Sequence, residues 1–205
     1  MTHEKIETSD GSISFFNQKY QEAYHSKHGA YTEALEKHVQ ACQIPQLSKS
    51  TQKLNILDVC FGLGYNSLVC IKEARKVNPD IEFHIDALEN DEEVFEMLKK
   101  CHPQEDIELI NSYTNFFIGD AREKITELEN NFYDAIFFDP FSPKVCPELW
   151  QETFISDVVK KAKTGAYIST YSSARIAKDG FTNAGCQISE GPRCGRKSGG
   201  VLALK

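Results

Sequence analysis

The stretch that most limits what this chain can become is Leu54-Asn-Ile-Leu-Asp-Val-Cys60. It is too continuously apolar to keep one face in water. It stops at Phe61-Gly-Leu-Gly64, after which residues 65–76 return to helical spacing. A strand apolar on both faces belongs inside a parallel sheet covered by helices. The same order then recurs. Residues 83–88 read as a strand ending in Glu89-Asn-Asp91, with a helix over 92–101. Residues 116–118 end at Gly119-Asp-Ala121 before a helix over 122–129, and residues 133–138 end at Asp139-Pro-Phe141. A helix over 148–162, a strand over 166–171, a helix over 173–184 and short strands over 186–190 and 201–204 complete the chain. Parallel neighbours need crossovers, and the intervening helices supply them. The spacing therefore predicts a Rossmann-like α/β domain: a seven-stranded, mostly parallel sheet with helices on both faces.

A chain of 205 residues, 40% hydrophobic and 26% charged, has room for one such domain. We assign it to residues 53–205. Residues 1–52 form an N-terminal extension packed on it: a short hairpin (11–16 with 18–24), a helix over 31–42 and a polar linker over 46–52. No run approaches the roughly 20 apolar residues of a membrane span, and the polar first ten residues lack a signal core. A cytoplasmic location is expected, with no membrane partner. The seven cysteines contain no Cys-x-x-Cys pair, so reduced thiols are expected rather than a disulfide framework or a metal knuckle. Charge is unevenly placed. Residues 1–157 carry 14 basic against 28 acidic side chains, and residues 158–205 carry nine against two. The basic third, including Arg193, Arg196 and Lys197, suits a polyanionic partner; lysines favouring a helix C-terminus are the plainer reading of Lys160, Lys161 and Lys163.

In a doubly wound sheet, ligands sit beyond the carboxyl ends of the strands. Four polar segments gather there. Asp58-x-Cys60-x-Gly62-x-Gly64 lets backbone pass close to a ligand, and the helix behind it offers unpaired N–H groups. Asn66 and Ser67 stand where a pyrophosphate fingerprint would want glycine, so a nicotinamide cofactor is poorly served. Glu89 can accept both hydroxyls of a ribose, and Asp120, followed by Ala121, can accept from an adenine amine. A nucleoside pocket with no demand for phosphate fits S-adenosylmethionine. Asp139-Pro-Phe-Ser-Pro143 is a stiff loop whose acid can accept from a substrate amine while Phe141 lines the target pocket. Each segment alone is also compatible with an ordinary turn.

Taken in order, the segments Thr8-Ser-Asp-Gly-Ser12, Glu22-Ala-Tyr-His-Ser26 with Gly29-Ala30, Leu57-Asp-Val-Cys-Phe-Gly-Leu-Gly-Tyr-Asn66, Gly119-Asp-Ala-Arg122, Phe138-Asp-Pro-Phe-Ser-Pro143, Pro147-Glu-Leu-Trp150 and Thr170-Tyr-Ser-Ser-Ala174 say more. The series resembles the methyltransferase domain of the MnmC family, over about residues 8–190. The resemblance implies a class I S-adenosylmethionine-dependent methyltransferase that acts on the aminomethyl nitrogen of a modified wobble uridine in tRNA. It also implies a form without the flavin-dependent domain that follows in bifunctional members. Where the family usually has Asp-Gly-Phe this chain has Asp139-Pro140-Phe141, and Cys60 replaces a glycine; the acid and the aromatic are kept.

On this reading the catalytic candidates are Asp139, Phe141 and His25, with no metal. Asp139 orients the amine and stabilises the charge developing on nitrogen, and His25 takes the released proton. The cofactor-binding candidates are Tyr24, Asp58, Gly62, Gly64, Asn66, Glu89, Asp120, Ala121 and Asp139. Phe141 and Trp150 are candidates to stack a base turned out of the anticodon. Two rivals stand beside this reading: a transferase of the same fold, such as an aminopropyl transferase, acting on another amine or nucleobase, and a non-catalytic RNA-binding relative.

Overall fold

The computed structural model describes residues 3–194 and 198–205. Strands β1 (Glu4–Glu7), β2 (Ile13–Asn17) and β3 (Glu22–Ala23) form a small antiparallel sheet. Helix α1 (Ala30–Glu33) widens into a π-helical segment, Ala34–Gln40, and α2 (Ile44–Ser50) follows. The main sheet begins with β4 (Lys53–Val59), α3 (Tyr65–Val77) and β5 (Glu82–Glu89). It continues through α4 (Val94–Cys101), α5 (Gln104–Tyr113), β6 (Thr114–Ile118), α6 (Ala121–Lys124) and β7 (Tyr133–Phe138). The last elements are α7 (Glu152–Lys161), β8 (Ala162–Thr170), α8 (Arg175–Asn183), β9 (Gln187–Glu190) and β10 (Val201–Leu204).

The seven strands lie in the order β6-β5-β4-β7-β8-β10-β9. The first five are parallel; β10 runs antiparallel to both β8 and β9. Chain order reverses between β4 and β7, which opens a crevice at their carboxyl ends. Alternation along each strand feeds two cores. Leu57 and Val59 of β4, with Ile136 and Phe138 of β7, pack under Phe154, Val158 and Phe181 of α7 and α8. Leu54 and Ile56, with Ala135 and Phe137, pack under Val39, Ile44, Val69 and Ile71 on the opposite side. Among the described residues, no helix is long and apolar enough to cross a membrane.

The expected seven strands and their crossovers are present; the differences lie elsewhere. Residues 46–52, read as a polar linker, are mostly α2, because Ile44 and Ser48 are buried and Pro45 starts the helix. Helix α5 was not anticipated; its buried face is only Asp106, Ile107 and Ile110, too sparse to stand out as a period. The N-terminal hairpin gains a third strand, β1, whose side chains are mostly exposed.

The N-terminal segments are fastened by Asp10. Its carboxylate accepts from the Thr8 and Ser12 hydroxyls (2.8 and 2.6 Å), from Ser12 N, and from both N and Oγ1 of Thr32 in the first turn of α1 (2.9 and 2.8 Å). Burial works against this charge, but the four bonds from Ser12 and Thr32 hold the carboxyl well below the usual range. Gly29 stands against it at φ 153°, where a Cβ would lie 2.1 Å from Asp10 Oδ2. Tyr65 of α3 both donates to Ile13 O (2.9 Å) and accepts from Ile13 N (3.1 Å), tying β2 to the main domain. Asp10→Ala is expected to lower stability by about 1–2 kcal/mol, the usual range for a lost helix cap, and Gly29→Ala by at least as much. Urea unfolding followed by circular dichroism measures both; midpoints unchanged from the wild type would show that the fastening is not needed.

Candidate active site at the carboxyl end of the sheet

The turn after β4 is built from alternating left-handed residues: Cys60 at φ 67°, Gly62 at 54° and Gly64 at 75°. Within it the N–H of Gly64 turns back to Phe61 O (3.1 Å), while that of Gly62 is held by an anion. The anion present is a side chain of the protein. Glu89, at the end of β5, accepts from Gly62 N (2.8 Å) with Oε2, and from Asn90 N and Asp91 N (2.8 and 2.9 Å) with Oε1. Burial raises its pKa against the pull of these three bonds. Backbone bonds join the neighbouring strand ends as well: Phe61 N to Leu88 O (3.0 Å), Gly119 N to Glu89 O (2.8 Å) and Asp139 N to Val59 O (3.1 Å).

Asp139 begins the loop after β7. Its Oδ2 accepts from Asn66 Nδ2 on α3 (3.0 Å) and lies 3.6 Å from His38 Nε2 on the π-helical segment. Burial alone would raise this carboxyl, but the nearby His38 ring, with the Asn66 hydrogen bond and His25, holds it well below the usual range. His25 contacts Ser14 Oγ (3.2 Å) and packs edge-on against Tyr65. Burial lowers its pKa although Asp139 and Glu33 pull the other way, which favours the neutral ring. Glu33 and Lys37 form a buried pair (2.7 Å) beside Ser26, whose hydroxyl donates to Glu33 (2.6 Å).

These groups line one cleft that opens to solvent at the carboxyl ends of the strands. Tyr24 lies over the glycine turn: a Cβ on Gly62 would meet its ring at 3.2 Å. Phe141 packs against Tyr24 and Tyr20 with ring centroids 5.1 and 4.8 Å apart, forming an aromatic wall. Among the described residues, seven carboxylates line the cleft (Glu22, Glu33, Glu89, Asp91, Asp120, Asp139, Glu148) against a single lysine, Lys37. The field favours a cation and disfavours phosphate.

Of the residues singled out in the sequence, Tyr24, His25, Gly62, Asn66, Glu89, Asp120, Ala121, Asp139 and Phe141 meet on this cleft. Asp58 and Gly64 do not line it. Asp58 is fully buried behind the turn, accepting from Ser67 Oγ (2.6 Å), and Gly64 is required by its positive φ and by Phe61, whose ring a Cβ would meet at 2.8 Å. Asp120 caps α6 and takes both Arg122 N and the Arg122 guanidinium, which lowers its pKa. Trp150 is not on the base-stacking wall. It is fully buried, and its indole donates to Phe141 O (2.8 Å), steadying the loop from behind. Arg193 pairs with Glu190 (3.1 Å), while Arg196 and Lys197 lie outside the described residues. Sequence reasoning missed His38, Lys37, Glu33 and Tyr20. The first three looked like the polar residues of an ordinary helix; Glu33 ends α1, and Lys37 and His38 lie on the π-helical segment packed against the sheet. No group of three or more His, Cys, Asp or Glu among the described residues is arranged to hold a metal.

Comparison with known proteins agrees with this geometry. A family model described as S-adenosyl-L-methionine-dependent methyltransferase matches residues 89–205. An uncharacterized protein of Methanocaldococcus jannaschii is 31% identical over 99% of the chain and 60% of its own length. The tRNA 5-methylaminomethyl-2-thiouridine biosynthesis bifunctional protein MnmC of Leptospira interrogans is 27% identical over 69% of the chain and 26% of its own length. The chain thus spans about three fifths of one relative and a quarter of the other. The crystal structure of MnmC2 from Aquifex aeolicus superposes with a TM-score of 0.89 at 31% identity, covering 99% of this chain and 70% of that one. The donor set fits the cofactor of that family: buried carboxylates suit ribose hydroxyls and a sulfonium charge, and the described lining offers no cluster of cations for a pyrophosphate.

Asp58 carries its own consequence. Burial pushes its carboxyl up to about 7 despite the Ser67 bond. An unfolded aspartate titrates near 3.9, so folding takes up a proton between about pH 4 and 7 and stability falls as pH rises through that window. Asp58→Asn keeps an acceptor for Ser67 without the charge. Its stability is expected to match that of the wild type near pH 4 and to exceed it by roughly a few kcal/mol at pH 8. Denaturation curves across pH 4–8 that stay parallel for the two proteins would refute this.

Proposed function

The chain belongs to the S-adenosyl-L-methionine-dependent methyltransferases, in the branch of the MnmC methyltransferases, and we propose that it methylates the aminomethyl nitrogen of a modified wobble uridine in tRNA. The observation that carries this reading is Asp139. It is an ionised carboxylate fixed through one oxygen, at the edge of an acidic cleft, with the aromatic ring of Phe141 two residues along the same loop. That combination suits a planar base bearing an amine.

S-adenosylmethionine, when bound, supplies an electrophilic methyl on a sulfonium. The rest of the chemistry falls to the chain. In our reading Glu89 holds the ribose hydroxyls, Gly62 lets the backbone approach, Asp120 and Ala121 border the adenine, and Tyr24 covers the cofactor from the open side. Asn66 contributes by fixing Asp139, and Asp58 and Gly64 contribute by shaping the turn. Phe141 and Tyr20 receive the uracil turned out of the anticodon stack. Asp139 Oδ1 accepts an N–H of the neutral amine, aims its lone pair and stabilises the positive charge that grows on nitrogen. His25, kept neutral by burial, takes the proton the product sheds. The tRNA body stays outside, since the cleft repels phosphate; only the base and its amine enter. We further propose that residues 1–52 act as a cover that completes the substrate side of a domain formed by 53–205, in the cytoplasm.

Glu89→Ala is expected to raise the dissociation constant for S-adenosylmethionine by roughly ten- to a hundredfold, the worth of lost charge-assisted hydrogen bonds; calorimetry measures it, and an unchanged constant would remove Glu89 from the cofactor site. Asp139→Ala should cut methyl transfer by about a hundredfold or more while leaving cofactor affinity within a few fold. The assay uses purified protein with tRNA carrying 5-aminomethyluridine at the wobble position, read by nucleoside mass spectrometry. Equal methylation of tRNA lacking that amine would point to another acceptor.

A further inference from the structure

We infer that His38 is a positioning residue for the methyl transfer, held by Ser169 and acting through Asp139. The inference deepens the proposed reaction and rests on it for the identity of the amine. Three groups form a line into the cleft. Ser169 Oγ on β8 lies 2.9 Å from His38 Nδ1, and His38 Nε2 lies 3.6 Å from Asp139 Oδ2. His38 and Ser169 are 2% and 1% exposed, so water does not compete for either.

The geometry selects one tautomer. A carboxylate facing Nε2 repels a ring lone pair and favours an N–H there, which leaves Nδ1 to accept the Ser169 hydroxyl hydrogen. If the ring is protonated, Nδ1–H donates to Ser169 instead, and Nε2 still presents a hydrogen to Asp139. Either way Asp139 meets positive potential from this side. At 3.6 Å the contact is an ion-pair distance rather than a direct hydrogen bond, so its effect is electrostatic and orienting. Both fixed contacts, from Asn66 and His38, fall on Oδ2. That leaves Oδ1 as the oxygen to meet the amine in the proposed reaction.

The local backbone serves the same end. His38 sits in the π-helical segment, a winding frequent at functional sites, and its ring packs edge-on against Phe137 of β7 (5.7 Å). Cys42 Sγ points at the carbonyls of Ile136 and Tyr167, keeping the end of the segment against the sheet. The charged or titratable groups around His38 are Asp139 and Asp58 from the strand ends, His25 from the N-terminal segment, and Glu33 and Lys37 on its own helix. Glu33 and Lys37 neutralise each other, and Ser67 already bonds Asp58. Asp139 is left as the carboxylate to which His38 answers.

The test reads Asp139 directly. Carbon-13 carboxyl NMR of the unliganded protein, with Asp139→Asn to assign the signal, follows its titration. His38→Leu is expected to move that titration upward by about one pH unit or more, and Ser169→Ala, which leaves the ring free to turn, to move it the same way by less. If His38→Leu does not fold, Ser169→Ala carries the measurement. In the methyl-transfer assay, His38→Leu should lower kcat about tenfold or more with the cofactor dissociation constant unchanged, and should add nothing to the defect of Asp139→Asn. An unmoved Asp139 titration would overturn the inference, as would losses that multiply in the double variant. Wild-type protein inactive on aminomethyl tRNA would instead sink the proposed substrate and leave the NMR result standing.

Discussion

One buried carboxylate organises the site. Glu89 takes three backbone N–H groups, one from the glycine turn after β4 and two from its own loop, and its carbonyl takes the N–H that opens the loop after β6. Without it, the N–H of Gly62 would be a buried donor lacking a partner, and the turn after β4 would lose its tie to the loop after β5. The cost is a carboxylate out of water. Three charge-assisted bonds offset that cost and fix the side chain before any ligand arrives. Asp139 and Asp120 then stand at set positions relative to Glu89, because β4, β5, β6 and β7 are locked in one parallel register.

The charge of the cleft separates two problems that the proposed reaction on tRNA would pose. A polyanion is attracted by cations, but a neutral amine attacking a sulfonium needs negative potential, both to welcome the cation and to stabilise the ammonium that forms. A cleft with seven carboxylates and one paired lysine does the second task and opposes the first. Basic side chains outnumber acidic ones only in residues 158–205, nine against two, and of these residues only Tyr171 is in the described lining. Binding of the backbone and chemistry on the base can therefore be tuned by different residues, and the acidic net charge of the whole chain is no obstacle to an RNA partner.

Much of this was legible in the sequence, for definite reasons. Apolar runs bounded by polar turns give away buried parallel strands, so Tyr133–Phe138 and Val201–Leu204 were delimited to the residue. The polar residues ending β4, β5, β6 and β7 were legible as a cluster because topology alone brings those ends together. What could not be read was anything that depends on helix winding or on cover from the N-terminus. His38 has the spacing of a surface residue on an ordinary helix, and the π-helical turn, which no residue type announces, swings it under Asp139. Trp150 looked available for stacking, yet a large aromatic after a proline-rich loop served the core better, with its indole spent on Phe141 O. Helix α2 was hidden for the opposite reason: it is polar in composition and held by tertiary contacts through Ile44 and Ser48.

The unfavourable features of the fold are not scattered. Asp58 is buried with its carboxyl raised toward neutrality, Cys60 holds a left-handed φ that costs a side-chain-bearing residue roughly 1–2 kcal/mol, and a π-helical segment replaces α-helix at Ala34–Gln40. Cys60 and the π-helical segment line the cleft, and Asp58 is buried behind the turn that carries Cys60. Cys60 is the most telling, since a glycine there would relieve the strain at no steric cost. The thiol lines the cleft, and the sheet behind it, with fully buried Val59, Leu88 and Phe138, holds the turn in place. Strain that the surroundings over-determine is what pre-organisation requires. The stable half of the molecule, the two packed cores, thus carries the cost of a cleft whose charges and backbone would relax if left to themselves.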